Sequence, residues 1–325
     1  PKFVRLAQYG KNIQIQNNIC PAYSDCRIGL APADFITDYC TRALGQETSP
    51  ARYRFPSMTD NLSLHLIYLF PNPAWPVNMT SEMKKALQET ADPLHSRWPL
   101  ANIFISRPAP DSECRMGVAF KAGHNGESHN HNDVGSYTLA VGEETLAGDM
   151  GGPFSYPGDY FDNGSYKYPI KNSFGHPLPV VDGNLQQTGK SAQGKILHTA
   201  MSQTVDSCLL DLTAAYAQTT FLRQLTRQFV YDRTGKGSFS IEDRYSAEAP
   251  IAFETAITTR ASWKTIGKDM LELTSGKETI RIRIEASAPV SFTSETIEVN
   301  CPPYTRIGIV MKDKARNGYI RMVMM

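Results

Sequence analysis

The sequence predicts a mainly β protein, a large antiparallel β-sandwich preceded by a short helical segment. Two observations carry this expectation. From about residue 101 the hydrophobic period becomes two, as strands with one buried face require. The alternating runs also recur at short spacing, with Gly, Pro, Asp and Asn turns between them and no helical crossover, which disfavours a parallel sheet.

Upstream the pattern is helical. Leu30–Gly45 carries Pro32 in its first turn and Gly45 at its end, the expected start and stop signals. Asp60–Phe70 offers a capping Asp and a largely apolar run halted before Pro71, and Thr80 to about Glu89 is a shorter third helix. These helices cannot bury their apolar surface among themselves, so they read as part of a larger helical assembly. The expected division is a helical segment over residues 1–98 and a sandwich over 99–325. Strands are expected over Ala101–Ile105, Arg115–Lys121, Val134–Val141, Thr220–Tyr231, Ile251–Thr259, Thr279–Glu285, Val290–Val299, Arg306–Met311 and Tyr319–Met324. Residues 150–177, rich in Gly and Tyr, read as a long binding loop.

Composition narrows the function. The 325 residues include 33 basic and 32 acidic side chains, with no basic tract, so no nucleic-acid partner is expected. No apolar run of about 18 residues exists, so no membrane span is expected. The chain opens on Pro1, from which the loss of a leader, and of more sequence, is expected. The six cysteines lack a CxxC pattern, which argues against a Cys-based zinc site; Cys20 and Cys26 read equally as a small disulfide loop or as free thiols.

The most informative stretch is Glu127-Ser128-His129-Asn130-His131-Asn132-Asp133. Extended backbone would put both histidines on one face. Four of the seven histidines fall within residues 124–176. His131, Asp149 and His176 offer two nitrogens and one oxygen from three segments, a donor set suited to zinc; the alternative is hydrogen-bonded residues of a turn-rich protein. Arg223, Arg227, Arg281 and Arg283 alternate along strands and read as a solvated outer face, or as a basic face for an acidic glycan. His198 and Trp263 read as packing residues.

Phe120–Gly152, and above all Glu127–Asp133 followed eighteen residues after His131 by Asp149, resembles the signature of the heparinase II/III-like polysaccharide lyases. Asn172–Gln187, with His176 ahead of a strand, is similar to that family's second metal-ligand segment. The resemblance covers roughly residues 100–325 and implies that the helices are the tail of an α/α toroid packed on the sandwich. It further implies β-elimination on a uronic-acid-containing polysaccharide such as a glycosaminoglycan or alginate, and a bacterial, periplasmic or secreted protein. His129 would be catalytic, and His131, Asp149 and His176 would hold a mainly structural Zn2+. Of the loop tyrosines Tyr156, Tyr160, Tyr166 and Tyr168, Tyr166 is taken as the candidate phenol in the cleft. Asn125, Asn130 and Asn132 are candidate donors to substrate or turn residues bonding their own backbone. Glu127 would orient His129 or contact sugar hydroxyls. The family's catalytic Tyr and a further His or Asn come from the toroid, upstream of this chain. Two other readings stand beside the lyase: a non-catalytic carbohydrate-binding or scaffold module that keeps the zinc, and a zinc hydrolase.

Overall fold

The computed structural model describes residues 4, 8–30, 80–89, 92–99, 101–156, 158–161, 164–298 and 301–325. Helix α1 is Tyr9–Asn12 and α2 is Ser81–Glu89, the latter where the third helix was expected. The helices expected at Leu30–Gly45 (beyond Leu30) and Asp60–Phe70 lie outside the described residues.

Apart from three short 3-10 helices, the other regular structure among the described residues is antiparallel sheet. A five-stranded sheet runs β1 (His95–Trp98), β2 (Ile103–Ser106), β3 (Met116–Lys121), β5 (Tyr137–Val141) and β6 (Glu144–Gly148). A nine-stranded sheet runs β13 (Ser262–Thr265), β14 (Met270–Ser275), β15 (Glu278–Ala286), β18 (Ala315–Met324), β11 (Ser238–Ile251), β10 (Leu222–Asp232), β9 (Val205–Asp211), β8 (Gly189–Ala200) and β4 (Gly123–Asn125). A four-stranded sheet runs β16 (Val290–Ile297), β17 (Tyr304–Met311), β12 (Phe253–Thr259) and β7 (Val180–Val181).

One apolar core joins all three sheets. A row of rings crosses it from the five-stranded to the nine-stranded sheet: Phe104–Phe120, Phe120–Phe229 and Phe229–Phe239, with centroids 5.0, 4.9 and 6.1 Å apart. Such stacked pairs add to the free energy of burying their area. The two smaller sheets are stitched along β6 and β12, where Thr258 Oγ1 donates to Gly148 O at 2.5 Å and Thr259 Oγ1 to Leu146 O at 2.6 Å. They thus form one layer facing the nine-stranded sheet.

Alternation holds where one face meets solvent. In β15, Ile280, Ile282 and Ile284 are buried while Arg281 and Arg283 are exposed. In β3 every residue is buried, because the chain over residues 13–23 covers the second face. Ile15 and Tyr23 pack there against Ile105, Ala119 and Ala140. Gly117 is where this layer approaches closest: a Cβ at that position would stand 2.7 Å from Ile15 Cγ2. Gly117→Ala is therefore expected to lower stability by about 1–3 kcal/mol through overpacking, read as a lower denaturant midpoint at unchanged slope.

Three expectations are corrected. The two-histidine run is not extended: residues 126–136 form turns, and His129 has φ +56°. Arg227 is not on a solvated face but fully buried, on the same side of β10 as Leu225, Phe229 and Tyr231. His198 is exposed and does not pack, whereas Trp263 does rest on the core. Cys20 and Cys26 are free thiols.

Candidate functional site

The site lies where the turns after β4 meet the N-terminal loop and the long loop after β6. Its backbone is held by buried amides. Asn125 Nδ2 donates to Gln186 Oε1 at 2.9 Å and to Gln187 O at 2.8 Å, and Asn132 Nδ2 donates to Gln186 O at 3.1 Å. Asn130 Nδ2 donates to Asn125 O at 2.7 Å. All three are buried, and their amide groups fasten the turn to the strands around it.

The loop over residues 22–28 closes one side. Asp133 accepts from the Ser24 amide at 3.0 Å and from Lys121 Nζ at 2.6 Å. Lys121 is itself buried, and burial alone would lower its pKa; Asp133, with Glu127, outweighs this and raises it. Glu127 stands 3.8 Å from Lys121 Nζ. Gly151 and Gly152 allow the close approach of residues 25–28, since a Cβ on Gly152 would meet Asp25 backbone at 2.7 Å. The Gly152 amide donates to Cys26 O at 2.9 Å.

Asp25 projects from this loop between the two histidines of the run. Its Oδ2 is 2.9 Å from His129 Nδ1, and its Oδ1 is 3.2 Å from His131 Nε2 and 3.1 Å from Tyr160 Oη. Burial raises the Asp25 carboxyl, but the hydrogen bonds from His131, His129 and Tyr160 outweigh it and hold it below its ordinary value. The histidines then part company. The His129 side chain is 68% exposed, with Phe161 edge-on to its ring. His131 is fully buried, and burial pulls its pKa down.

His131 and His176 form the buried half of the site, with ring centroids 5.3 Å apart. His131 Nε2 faces Tyr160 Oη at 2.8 Å, and His176 Nδ1 faces Asp149 Oδ2 at 2.9 Å. Asp149 Oδ1 also accepts from the Gly151 amide at 3.0 Å. The remaining ring nitrogens, His131 Nδ1 and His176 Nε2, are buried without a hydrogen-bond partner among the described residues. Unpaired buried polar atoms are costly. Each of these rings meets an oxygen through its other nitrogen, and a buried imidazole nitrogen is a donor of the type zinc takes. Among the described residues, no three His, Cys, Asp or Glu groups converge closely enough to hold an ion as they stand.

The long loop supplies the third wall. Tyr166 Oη donates to Asn130 Oδ1 at 3.0 Å, and burial raises its pKa, so the phenol keeps its proton. Lys171 lies among the rings of Tyr160, Tyr166 and Phe161 at 4.4, 5.0 and 5.7 Å, donating to Tyr160 O at 2.6 Å and Ser165 Oγ at 2.8 Å. Its carbonyl accepts from the Asn132 amide at 2.9 Å, which joins this wall to the histidine turn. An exposed imidazole with one ring nitrogen fixed by a carboxylate can exchange protons with a bound ligand.

Neither a protein-family model nor a curated protein matches the sequence. Solved structures do. A heparinase III gene product superposes with a TM-score of 0.65 at 13% identity, over 96% of this chain and 44% of its own. The heparan sulfate lyase HepC from Pedobacter heparinus gives 0.63 at 15%, over 96% and 45%. A further heparinase III structure gives 0.63 at 14%, over 98% and 47%. In fold, this chain is similar to heparinase III. It spans less than half the length of each of these structures. The heparinase III-like fold accounts for the β layers described above; the site rests on this chain's own residues.

Sequence reasoning singled out His129, His131, Asp149, His176, Tyr166, Glu127, Asn125 and Asn132, and the fold brings all eight into this one region; the Asn125 and Asn132 amides are engaged by Gln186 and Gln187, as turn residues are. It missed Asp25, Tyr160 as a buried partner of His131, and Lys171. Asp25 lies 104 positions before His129 in no recognisable pattern, so no local signal marks it.

Proposed function

We propose that this chain is the β-rich part of a polysaccharide lyase that cleaves a uronic-acid-containing polysaccharide by β-elimination. The observation that carries the reading is His129, exposed at a turn within a heparinase III-like fold and held by Asp25 through Nδ1. Heparan sulfate is the first substrate to try, given the fold neighbours.

The reaction removes the C5 proton beside the uronate carboxyl. The C5–H electron pair forms the C4=C5 double bond, and the C4–O bond breaks with its pair leaving on oxygen, which takes up a proton. In this reading His129 Nε2 receives the C5 proton, its other nitrogen being fixed by Asp25. Tyr166 stays protonated and suits the proton donor. Glu127 and the turn around Asn125 and Asn132 line the sugar side, the two amides by holding its backbone. An upstream α/α toroid of a parent chain would close the opposite wall and add the remaining groups.

His131 Nδ1 and His176 Nε2 would hold Zn2+ as a structural staple between the turn and the long loop, with Asp149, which now meets His176 Nδ1 and the Gly151 amide, as the third candidate ligand. The bound ion would supply cross-linking of these segments. Zinc bound to the folded state stabilises it by mass action. Metal analysis of the purified protein is expected to find about one zinc per chain, and chelation to lower the melting temperature; His176→Ala should lose both the metal and this response. A metal-free protein whose melting is indifferent to zinc and chelator would remove this part of the proposal.

The lyase itself is tested by incubating full-length protein with heparan sulfate, other glycosaminoglycans and alginate while following ultraviolet absorbance of the unsaturated product. Absorbance is expected to rise on a uronate polymer. Folded protein that produces no rise on any of them contradicts the reading.

A further inference from the structure

We infer that Asp25 is the positioning residue for His129: its carboxylate selects the ring orientation and tautomer that leave His129 Nε2 facing outward. The inference rests on the lyase reading for its catalytic consequence, though not for its geometry.

Four observations converge on it. First, His129 is exposed at a turn with φ +56°, where few packing contacts could hold a ring; Phe161 approaches edge-on at 6.2 Å and supplies no polar contact. The polar contact that defines the ring is Asp25 Oδ2 at 2.9 Å from Nδ1. A carboxylate accepts only, so Nδ1 carries the proton and Nε2 presents its lone pair. A free imidazole on an exposed turn has no such constraint.

Second, Asp25 is itself held. Its other oxygen accepts from Tyr160 Oη at 3.1 Å and faces His131 Nε2 at 3.2 Å. One carboxylate therefore spans an exposed and a buried imidazole, and the rigidity of the buried half is passed to the exposed one. Third, its backbone is clamped on both sides. Ser24 is bonded to Asp133 through its amide at 3.0 Å and its hydroxyl at 3.2 Å, and Cys26 O accepts the Gly152 amide at 2.9 Å. Fourth, the closest approach falls at a glycine, since any Cβ on Gly152 would strike Asp25 backbone at 2.7 Å. Groups that must hold a reacting side chain within tenths of an ångström are built this way, on rigid neighbours with their own hydrogen bonds.

A carboxylate behind a catalytic imidazole acts through the imidazole without meeting substrate. Removing it should therefore lower kcat and leave KM nearly unchanged, because substrate contacts survive while the fraction of correctly presented Nε2 falls. The test uses Asp25→Asn, which keeps shape, and Asp25→Ala, which removes both oxygens. Nitrogen-15 NMR of the His129 ring, recorded where the imidazole is neutral, reads the tautomer directly and needs no activity. Wild type is expected to show protonated Nδ1 as the dominant form, and both variants to lose that bias. With full-length protein on heparan sulfate, kcat is expected to fall about 10- to 100-fold with KM within about twofold. Zinc content measured in parallel shows whether the buried histidines remain intact. A His129 tautomer that is the same in wild type and both variants overturns the inference. So does a kcat unchanged in both. If wild type has no lyase activity but shows the tautomer shift, the lyase reading fails and the positioning role stands.

Discussion

His129→Ala is expected to lower turnover of a uronate polysaccharide about a hundred- to ten-thousand-fold, the usual range for losing a positioned proton-transfer group. The fold should survive, because the side chain is 68% exposed and, among the described residues, its ring contacts are Asp25 and the edge of Phe161. The backbone adds a small effect of its own. At φ +56° alanine is strained by about 1 kcal/mol relative to residues that tolerate the left-handed region. His129→Asn avoids that strain, since asparagine adopts this conformation readily. The pair separates chemistry from folding: both variants should lose turnover, and only the alanine variant should melt slightly lower. Activity retained in both would remove His129 from the chemistry.

The second large effect lies beneath the site. Arg227 and Asp243 are both fully buried and paired in fork geometry, Nε to Oδ1 at 2.6 Å and Nη2 to Oδ2 at 2.7 Å. Arg227 Nη1 also donates to Gly135 O at 2.8 Å and Pro177 O at 2.7 Å, the carbonyls that follow the histidine turn and His176. Thr255 Oγ1 completes the group by donating to Asp243 Oδ2 at 2.6 Å. Breaking such a pair leaves an uncompensated buried charge, and Asp243→Ala or Arg227→Ala is expected to cost about 3–5 kcal/mol. Replacing both partners with apolar residues, as in Arg227→Met with Asp243→Leu, should recover much of that loss, because no charge is then stranded. Denaturant unfolding of Arg227→Met, Asp243→Leu and the double variant measures this as a coupling energy. Additive losses would show that the pair does not act as a unit.

How much of this was readable in the chain depends on what covers each strand. β15 was legible because solvent meets one face, so Ile280, Ile282 and Ile284 alternate with arginines. β3 reads as a strand, but its second buried face comes from Ile15 and Tyr23, about a hundred residues away, and no local pattern reveals them. Arg227 carries a signal of its own: period two places it with Leu225, Phe229 and Tyr231, hence inside. Its charge argues for the surface, whereas the fold supplies Asp243 to neutralise it. In the histidine run, the residue types were informative and the backbone was not. Turn hydrogen bonds from Asn125, Asn130 and Asn132 bend the run, so the separation of His129 from His131 follows from burial rather than from strand faces. Asp25 was out of reach altogether, because a lone Asp becomes a partner only once the loop carrying it is docked.

The reading of this chain as part of a lyase is tested most directly by the mass of its products. Full-length protein is incubated with heparan sulfate or another uronate polysaccharide, and the released oligosaccharides are weighed by mass spectrometry. β-Elimination predicts products one water lighter than those of hydrolysis, with a C4=C5 double bond at the new non-reducing end, and far less of them from His129→Ala. Saturated products that have taken up water, or intact polymer after incubation with folded protein, would contradict it.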